Sequence, residues 1–234
     1  MLEPKVSVII PTLWRSDVTV QLVNALLDWP LLEELIIIDN DPGSRPHHTC
    51  WQHCTVLEQE DNIYVNPAWN LGVRQAKENV IAICNDDICF DPSDLDRFIS
   101  QMQPNEIWGL HEDSILKPES INQPELRKSF ILGLGWGCLM LMQKSSYVPI
   151  PENIKVWYGD DWLVHCTKVK KSMRMQVKGT LSVSASDTKF NPIKEADQIH
   201  YSQLIWHPLY RSLRILCRSG LKYPLKQALR MKQS

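Results

Sequence analysis

Three short acidic clusters carry the groups in this chain best suited to chemistry. Asn85, Asp86 and Asp87 stand in ICNDDICFDP, Asp39, Asn40 and Asp41 in LIIIDNDPG, and Asp160 and Asp161 in WYGDDW. Adjacent carboxylates repel one another, so such a pair needs water around it or a cation between it and a ligand. Hard divalent cations take oxygen ligands and often use only one or two protein carboxylates together with phosphate oxygens. A carboxylate within reach of a hydroxyl is also an adequate general base. The plainer alternatives are a solvated acidic turn at 86 and 87 and a structural N-cap at 160 and 161.

The elements that must position these acids follow from apolar patterning. Val80 to Cys84 is a short unbroken apolar run, which predicts a buried strand of a mostly parallel sheet ending at Asn85. Residues 6–10 and 35–38 predict two more buried strands, the first closed by Pro11 and Thr12, the second by Asp39 and Asn40. Between them Ser16 or Asp17 can cap a helix that Pro30 stops. Asn66 before Pro67 predicts the N-cap of a second helix carrying Trp69, Asn70 and Gly72; a glycine there implies close packing on the sheet or a ligand. Residues 55–57 predict a shorter strand, and Pro92 opens a helix with Leu95, Phe98, Ile99 and Met102 on one face. Strand and helix thus alternate over the first hundred residues, as a doubly wound sheet requires. In open sheets of this kind ligands gather at the carboxyl ends of the strands, where the acids of the first two clusters fall.

Beyond Gln103 the pattern loosens. Residues 107–110 read as a strand, 113–127 as a polar loop, 130–142 as a bent strand and turn, and 175–185 as a late strand or hairpin. A helical pattern runs from the acidic pair through Val164 and Cys166 to Val169. With 44% hydrophobic and 22% charged residues among 234, the chain is an ordinary globular protein, without a run long enough to span a membrane. Met1 to Lys5 leads straight into the first strand, so no leader is expected. Seven cysteines without framework spacing imply reduced thiols and a cytoplasmic protein. His47, His48, Cys50, His53 and Cys54 have no matching ligand pair elsewhere, which argues against structural zinc.

VSVIIPT, LIIIDND, NLGVRQA, ICNDDICFDPSDL and YGDDW, in that order, resemble the inverting family-two glycosyltransferases of the GT-A fold. The resemblance spans roughly residues 5–170. It implies an α/β chain with a single mostly parallel, doubly wound Rossmann-like sheet and helices on both faces. It divides residues 1–207 into a nucleotide-binding half, about 1–103, and an acceptor-binding half, about 104–207. On this resemblance Pro11, Thr12, Asp39, Asn40, Asn70 and Asp86 line the nucleotide pocket, with Asp39 reading the base and Asp86 the ribose. Asp87 holds Mn2+ or Mg2+ on the diphosphate, His200 is a second candidate ligand, and Asp161, with Asp160 in reserve, is the general base. The implied donor is a nucleoside-diphosphate sugar, with a UDP-sugar favoured, and the acceptor a glycan or lipid-linked glycan. Transfer of a hexosyl or deoxyhexosyl group in polysaccharide biosynthesis is the expected role.

Three residues depart from the family pattern: Asn85 where a first metal-motif aspartate is common, Asn40 for a second aspartate, and Asp160 for a glutamate. Trp136 in LGWGCL is either a sugar platform or plain core. A nucleotidyltransferase would need a glycine-rich basic loop after the first strand, yet PTLWRSD follows there. A dehalogenase-type phosphatase would need a nucleophilic aspartate where Pro11 stands. A non-catalytic nucleotide-sugar-binding module is the alternative from another class, and the retained Asp86, Asp87, Asp160 and Asp161 speak against it.

The formal net charge of -2 is unevenly spread. No acid follows Asp197, while Arg211, Arg214, Arg218, Lys222, Lys226, Arg230 and Lys232 do, so the end of the chain carries +7 and the remainder -9. Residues 208–234 therefore read as a basic amphipathic helical tail suited to an anionic membrane surface, which makes the protein cytoplasmic or peripheral at a membrane. Nucleic acid is not expected as a partner, because the acidic body would repel it.

Overall fold

The computed structural model describes residues 4–129, 132–179 and 192–205; the basic tail and part of the expected late hairpin lie outside them. Strand β1 (Val6–Thr12), helix α1 (Thr19–Leu27), β2 (Leu32–Asp39), β3 (Thr55–Glu58), α2 (Val65–Gln75) and β4 (Val80–Cys84) form the alternating first half. Short elements follow: β5 (Ile88–Phe90), α3 (Asp96–Ile99), β6 (Glu106–Leu110), α4 (Asp113–Leu116), β7 (Glu125–Lys128) and β8 (Leu139–Gln143). The chain then forms α5 (Gly159–Cys166), β9 (Val169–Arg174), β10 (Val177–Gly179) and α6 (Pro192–Leu204).

Eight strands make one sheet in the order β3-β2-β1-β4-β8-β6-β9-β7. Strands β3, β2, β1 and β4 are parallel, as are β6 and β9. Strand β8 runs antiparallel to both β4 and β6, and β7 to β9. The sheet is mostly parallel, as expected, but it is not the only one, since β5 pairs with β10 in a small antiparallel ribbon.

Continuous apolar strands work here because both faces are covered. Val8, Ile10, Ile37, Ala82 and Cys84 point to the layer of α1 and α3, with Leu22, Leu26 and Phe98. Ile9, Ile36, Ile38, Ile81 and Ile83 point to the opposite layer of α2, α5 and α6, with Trp69, Leu163 and Tyr201. Each such isoleucine, wholly buried, contributes roughly 1.5–3 kcal/mol relative to exposure. Gly72 is explained by the same layer, because a Cβ there would stand 2.3 Å from Ile9 Cγ2.

Several boundaries depart from the sequence reading. Helix α2 begins at Val65, and Asn66 is not its N-cap: its amide Nδ2 donates instead to the carbonyls of Ile154 and Trp157, across the fold. Pro92 opens a 3-10 turn, Pro92–Leu95, before the short α3. The polar loop expected over 113–127 contains α4 and ends in β7, an edge strand without apolar alternation; Arg174 of β9 meets Glu125 and Asp113 there. Val169 starts β9, since α5 ends at Cys166, where Thr167 turns its hydroxyl onto the Leu163 carbonyl. Among the described residues no helix is long and apolar enough to cross a membrane.

Candidate active site

The strand order reverses beside β1, with β2 on one side and β4 on the other, and in open sheets ligands bind beyond the strands' carboxyl ends at such a switch point. Asp86 and Asp87 follow β4 at that end. Thr12, the last residue of β1, donates its hydroxyl to Asp86 Oδ2, and Thr19 Oγ1 donates to the Asp86 carbonyl at 3.0 Å. Burial raises the pKa of Asp86, against the lowering effect of the Thr12 bond. Asp87 is 6% exposed, and its Oδ1 is buried without a hydrogen-bond partner. Burial, and then the Asp86 charge, push its carboxyl up to about 6. An unpartnered buried carboxylate oxygen is costly, and either a proton or a cation removes the cost. The fit of this site to a divalent metal rests on that orphaned oxygen.

Asp39, at the end of β2 and paired in register with Thr12, is wholly buried. Its Oδ1 is already engaged, while Oδ2 has an ion pair but no hydrogen bond. Trp14 Nε1 donates to Oδ1 at 2.6 Å, Asp41 N donates to the same oxygen at 3.1 Å, and Arg45 Nη1 stands 3.4 Å from Oδ2. Trp14 takes a left-handed backbone (φ 58°) and meets Trp51 edge-on at 4.9 Å. Asn40 accepts from Ile63 N, tying the β2 end to the chain before α2. Trp14 and Arg45 were not identified from sequence; nothing in their spacing points to Asp39.

The second acidic pair approaches from the other half. Because β8 is antiparallel to β4 with Cys84 opposite Leu139, the residues before β8 lie beyond the carboxyl end of β4. Asp160, in the first turn of α5, packs there: a Cβ on Gly137 would lie 3.0 Å from its Oδ2. Burial raises the Cys138 thiol pKa, and the charges of both Asp87 and Asp160 raise it further. The Asn85 N–H donates to the Cys138 carbonyl at 2.8 Å. The members of the pair differ. Asp160 is half-buried and Asp161 wholly buried.

The start of α5 is fixed from a distance. Asn66 holds the carbonyls on either side of residues 155–156, and Gly159 is pressed so close that a Cβ would fall 2.0 Å from Asn66 Oδ1. Asp197 of α6 accepts from three successive backbone N–H groups just before α5. Neither role is legible in the sequence, since the partners are 40 to 91 residues away.

Other expected site residues make the following contacts. Asn70 is buried, donates to the Ile150 carbonyl (2.7 Å) and accepts from Tyr147 Oη (2.7 Å) and Ile150 N (2.9 Å), so its amide pins the 147–150 loop. His200 on α6 sets Nδ1 2.9 Å from the Asn153 carbonyl. Trp136 is 1% exposed, with its ring against Gly109; it is core rather than a platform. His48 Nδ1 accepts from Cys50 N, capping a 3-10 turn, and burial pushes the Cys54 thiol up to about 12. Among the described residues no three His, Cys, Asp or Glu side chains gather as a metal-ligand set.

The glycosyl transferase family 2 profile matches residues 7–128. The chain belongs to this family. It is a glycosyltransferase of the GT-A fold, which sets aside the nucleotidyltransferase alternative. Among solved structures it is similar to residues 1-349 of S. aureus TarS, with a TM-score of 0.56 at 15% identity over 96% of this chain and 77% of that one. It is also similar to a Pyrobaculum calidifontis mannosyltransferase in complex with GDP-Man and Mn2+, with TM-score 0.54 and 11% identity over 74% of this chain and 55% of that one. GalNAc-T7 with UDP, GalNAc and Mn2+ gives 0.53 and 12% over 77% and 44%. The chain thus spans about half the length of the last two. At such identities the likeness is one of fold. No curated protein matches the sequence.

Proposed function

We propose that this glycosyltransferase moves a sugar from a nucleoside-diphosphate sugar to a hydroxyl of a glycan or lipid-linked acceptor, by single displacement with inversion. The observation that carries the reading is Asp87, whose buried oxygen lacks a partner at the sheet's switch point, with Asp160 packed on Gly137, just before the strand that pairs with β4. Asp87 would hold a Mn2+ or Mg2+ ion, which supplies Lewis-acid neutralisation of the departing diphosphate. Asp86, oriented by Thr12, is suited to accept from a ribose hydroxyl. Asp39 would meet the base once Trp14 gives up its bond. Of the relatives' ligands, GDP-Man is a donor of this class, and UDP is the nucleoside diphosphate that such a donor leaves.

On the side of the second acidic pair, the acceptor O–H attacks the anomeric carbon as the bond from that carbon to the diphosphate oxygen breaks. The hydroxyl proton passes to a carboxylate of the acidic pair. What supports Asp160 over the expected Asp161 is access, because a base must come within hydrogen-bond reach of the hydroxyl and Asp161 has no exposed surface. Asp161 lies beneath it as part of the same turn. The halves about 1–103 and 104–207 then correspond to donor and acceptor sides.

A thermal-shift screen of nucleotide sugars with and without Mn2+ tests the reading. A donor at a hundred times its dissociation constant adds about 2.7 kcal/mol, a plain rise in Tm that should need the metal. If no nucleotide sugar shifts Tm with Mn2+ present, the proposal is wrong.

A further inference from the structure

A wholly buried carboxylate must be matched by donors, and Asp197 on α6 is matched in an unusual way. The backbone N–H groups of Lys155, Val156 and Trp157 each donate to it at 2.8 Å. Successive N–H groups converging on one anion form a nest, and bonds to an ionised acceptor are the stronger kind. The same face of α6 grips the next residues. Lys194 Nζ stands 5.0 Å over the Trp157 ring, Tyr158 Oη donates to Gln198 Oε1 at 3.4 Å, and the Tyr158 and Tyr201 rings stack at 4.9 Å. Positions 194, 197, 198 and 201 share one helix face by their spacing.

What this face holds is a turn that would not hold itself. Tyr158 is left-handed (φ 66°, ψ 5°), a conformation an aromatic residue keeps only when its surroundings over-determine it. Gly159, Asp160 and Asp161 follow immediately as the first turn of α5. The direction of the acidic pair is therefore set at Tyr158, and Tyr158 is set by α6. We infer that Asp197 is the positioning residue of the acceptor side, fixing Asp160 and Asp161 through the 155–158 turn without touching substrate. The inference rests on the reading of that pair as the source of the base. It brings α6, which lies beyond the matched family region 7–128, into the working site. Small displacements of a reacting group are expensive in rate, so loosening this turn should cost turnover while sparing the donor pocket at β1, β2 and β4.

The test is Asp197→Asn in the full chain, read three ways. Amide hydrogen exchange at residues 155–157 should quicken at least tenfold with β1 and β4 unchanged. UDP release from a UDP-sugar with Mn2+ should slow at least tenfold in kcat. The affinity for UDP with Mn2+, and KM for the UDP-sugar, should stay within about twofold. Unchanged exchange overturns the inference, as does faster exchange with undiminished kcat. A parallel loss of UDP affinity also overturns it, because Asp197 would then support the whole domain. If Asp197→Asn does not fold, Lys194→Ala combined with Gln198→Ala, at half-buried positions, should give the same split at threefold or more, and its absence is decisive. A parent protein that releases no UDP contradicts the choice of a UDP-sugar donor instead, and the exchange arm then decides alone whether Asp197 holds the turn.

Discussion

The two acidic pairs are built alike and held differently. In each, a half-buried aspartate, Asp86 or Asp160, is followed by a buried one, Asp87 or Asp161. The first pair ends a strand, and the sheet itself aims it: β4 is flanked by β1 and β8, and Thr12 at the neighbouring strand end takes hold of Asp86. The second pair starts a helix of eight residues with no side-chain cap of its own. Its direction comes from Asn66 of α2 and Asp197 of α6. On the proposed reading the donor side is thus held by its own sheet and the hydroxyls of Thr12 and Thr19 beside it, whereas the acceptor side depends on polar groups of two helices in the opposite layer. Variants that touch one pair and spare the other can break this comparison.

The largest effect should come from the base. Asp160→Asn keeps size and most hydrogen bonding but cannot take a proton, and kcat should fall by about 10²-fold or more with donor affinity retained. If Asp161→Asn is the inactive variant and Asp160→Asn turns over normally, the roles within the pair are exchanged.

Next in size is a packing effect on the second pair. Gly159→Ala would press a Cβ to 2.0 Å from Asn66 Oδ1, and Asn66 cannot retreat without losing its bonds to the Ile154 and Trp157 carbonyls. Overpacking of this kind costs up to about 3 kcal/mol, measurable by denaturant unfolding. The contrast is Gly43→Ala, where the nearest atom to a Cβ is 3.8 Å away and stability should be unchanged. Equal stability of the two variants would deny that the 159 contact is tight.

The smallest effect concerns Asp87 in the metal-free protein. Its folded carboxyl is raised to about 6, chiefly by burial, from an unfolded value near 4. The folded state therefore holds a proton that the unfolded state releases, and stability from this group is full below about pH 4 and lost as pH rises through about 6. Asp87→Asn removes the charge, so above pH 7 it should be more stable than the parent by about 2 kcal/mol, with the difference vanishing below pH 4. A variant less stable than the parent at pH 8 would mean that Asp87 has a partner after all.

What could be read from the sequence follows the same division. Short β-branched runs ending in acids, at 35–39 and 80–87, can be read as parallel strands feeding a site, because strand burial and strand end are both local signals. The order of motifs then gave the family. Residues 113–127 misled because an edge strand such as β7, half in water, has no apolar period to display. Asn66 looked like a helix cap because asparagine before proline favours that position, and a buried bond to Ile154, 88 residues on, overrode it. Asp197 left no signal, since a carboxylate in a polar helix reads as a solvated face until the turn that covers it is known. Asn70 and His200 carried expectations from the family resemblance alone; Asn70 spends its amide on the 147–150 loop, and His200 sets Nδ1 against the Asn153 carbonyl.

The division of labour between the pairs is the central claim, and calorimetric titration of a UDP-sugar with and without Mn2+ tests it most directly. Parent, Asp87→Asn and Asp160→Asn are compared at pH 7.5, a condition chosen to lie about a unit or more above the Asp87 midpoint. The account predicts that Mn2+ tightens donor binding in the parent and in Asp160→Asn but not in Asp87→Asn. Metal-dependent binding that survives Asp87→Asn, or disappears in Asp160→Asn, would contradict it.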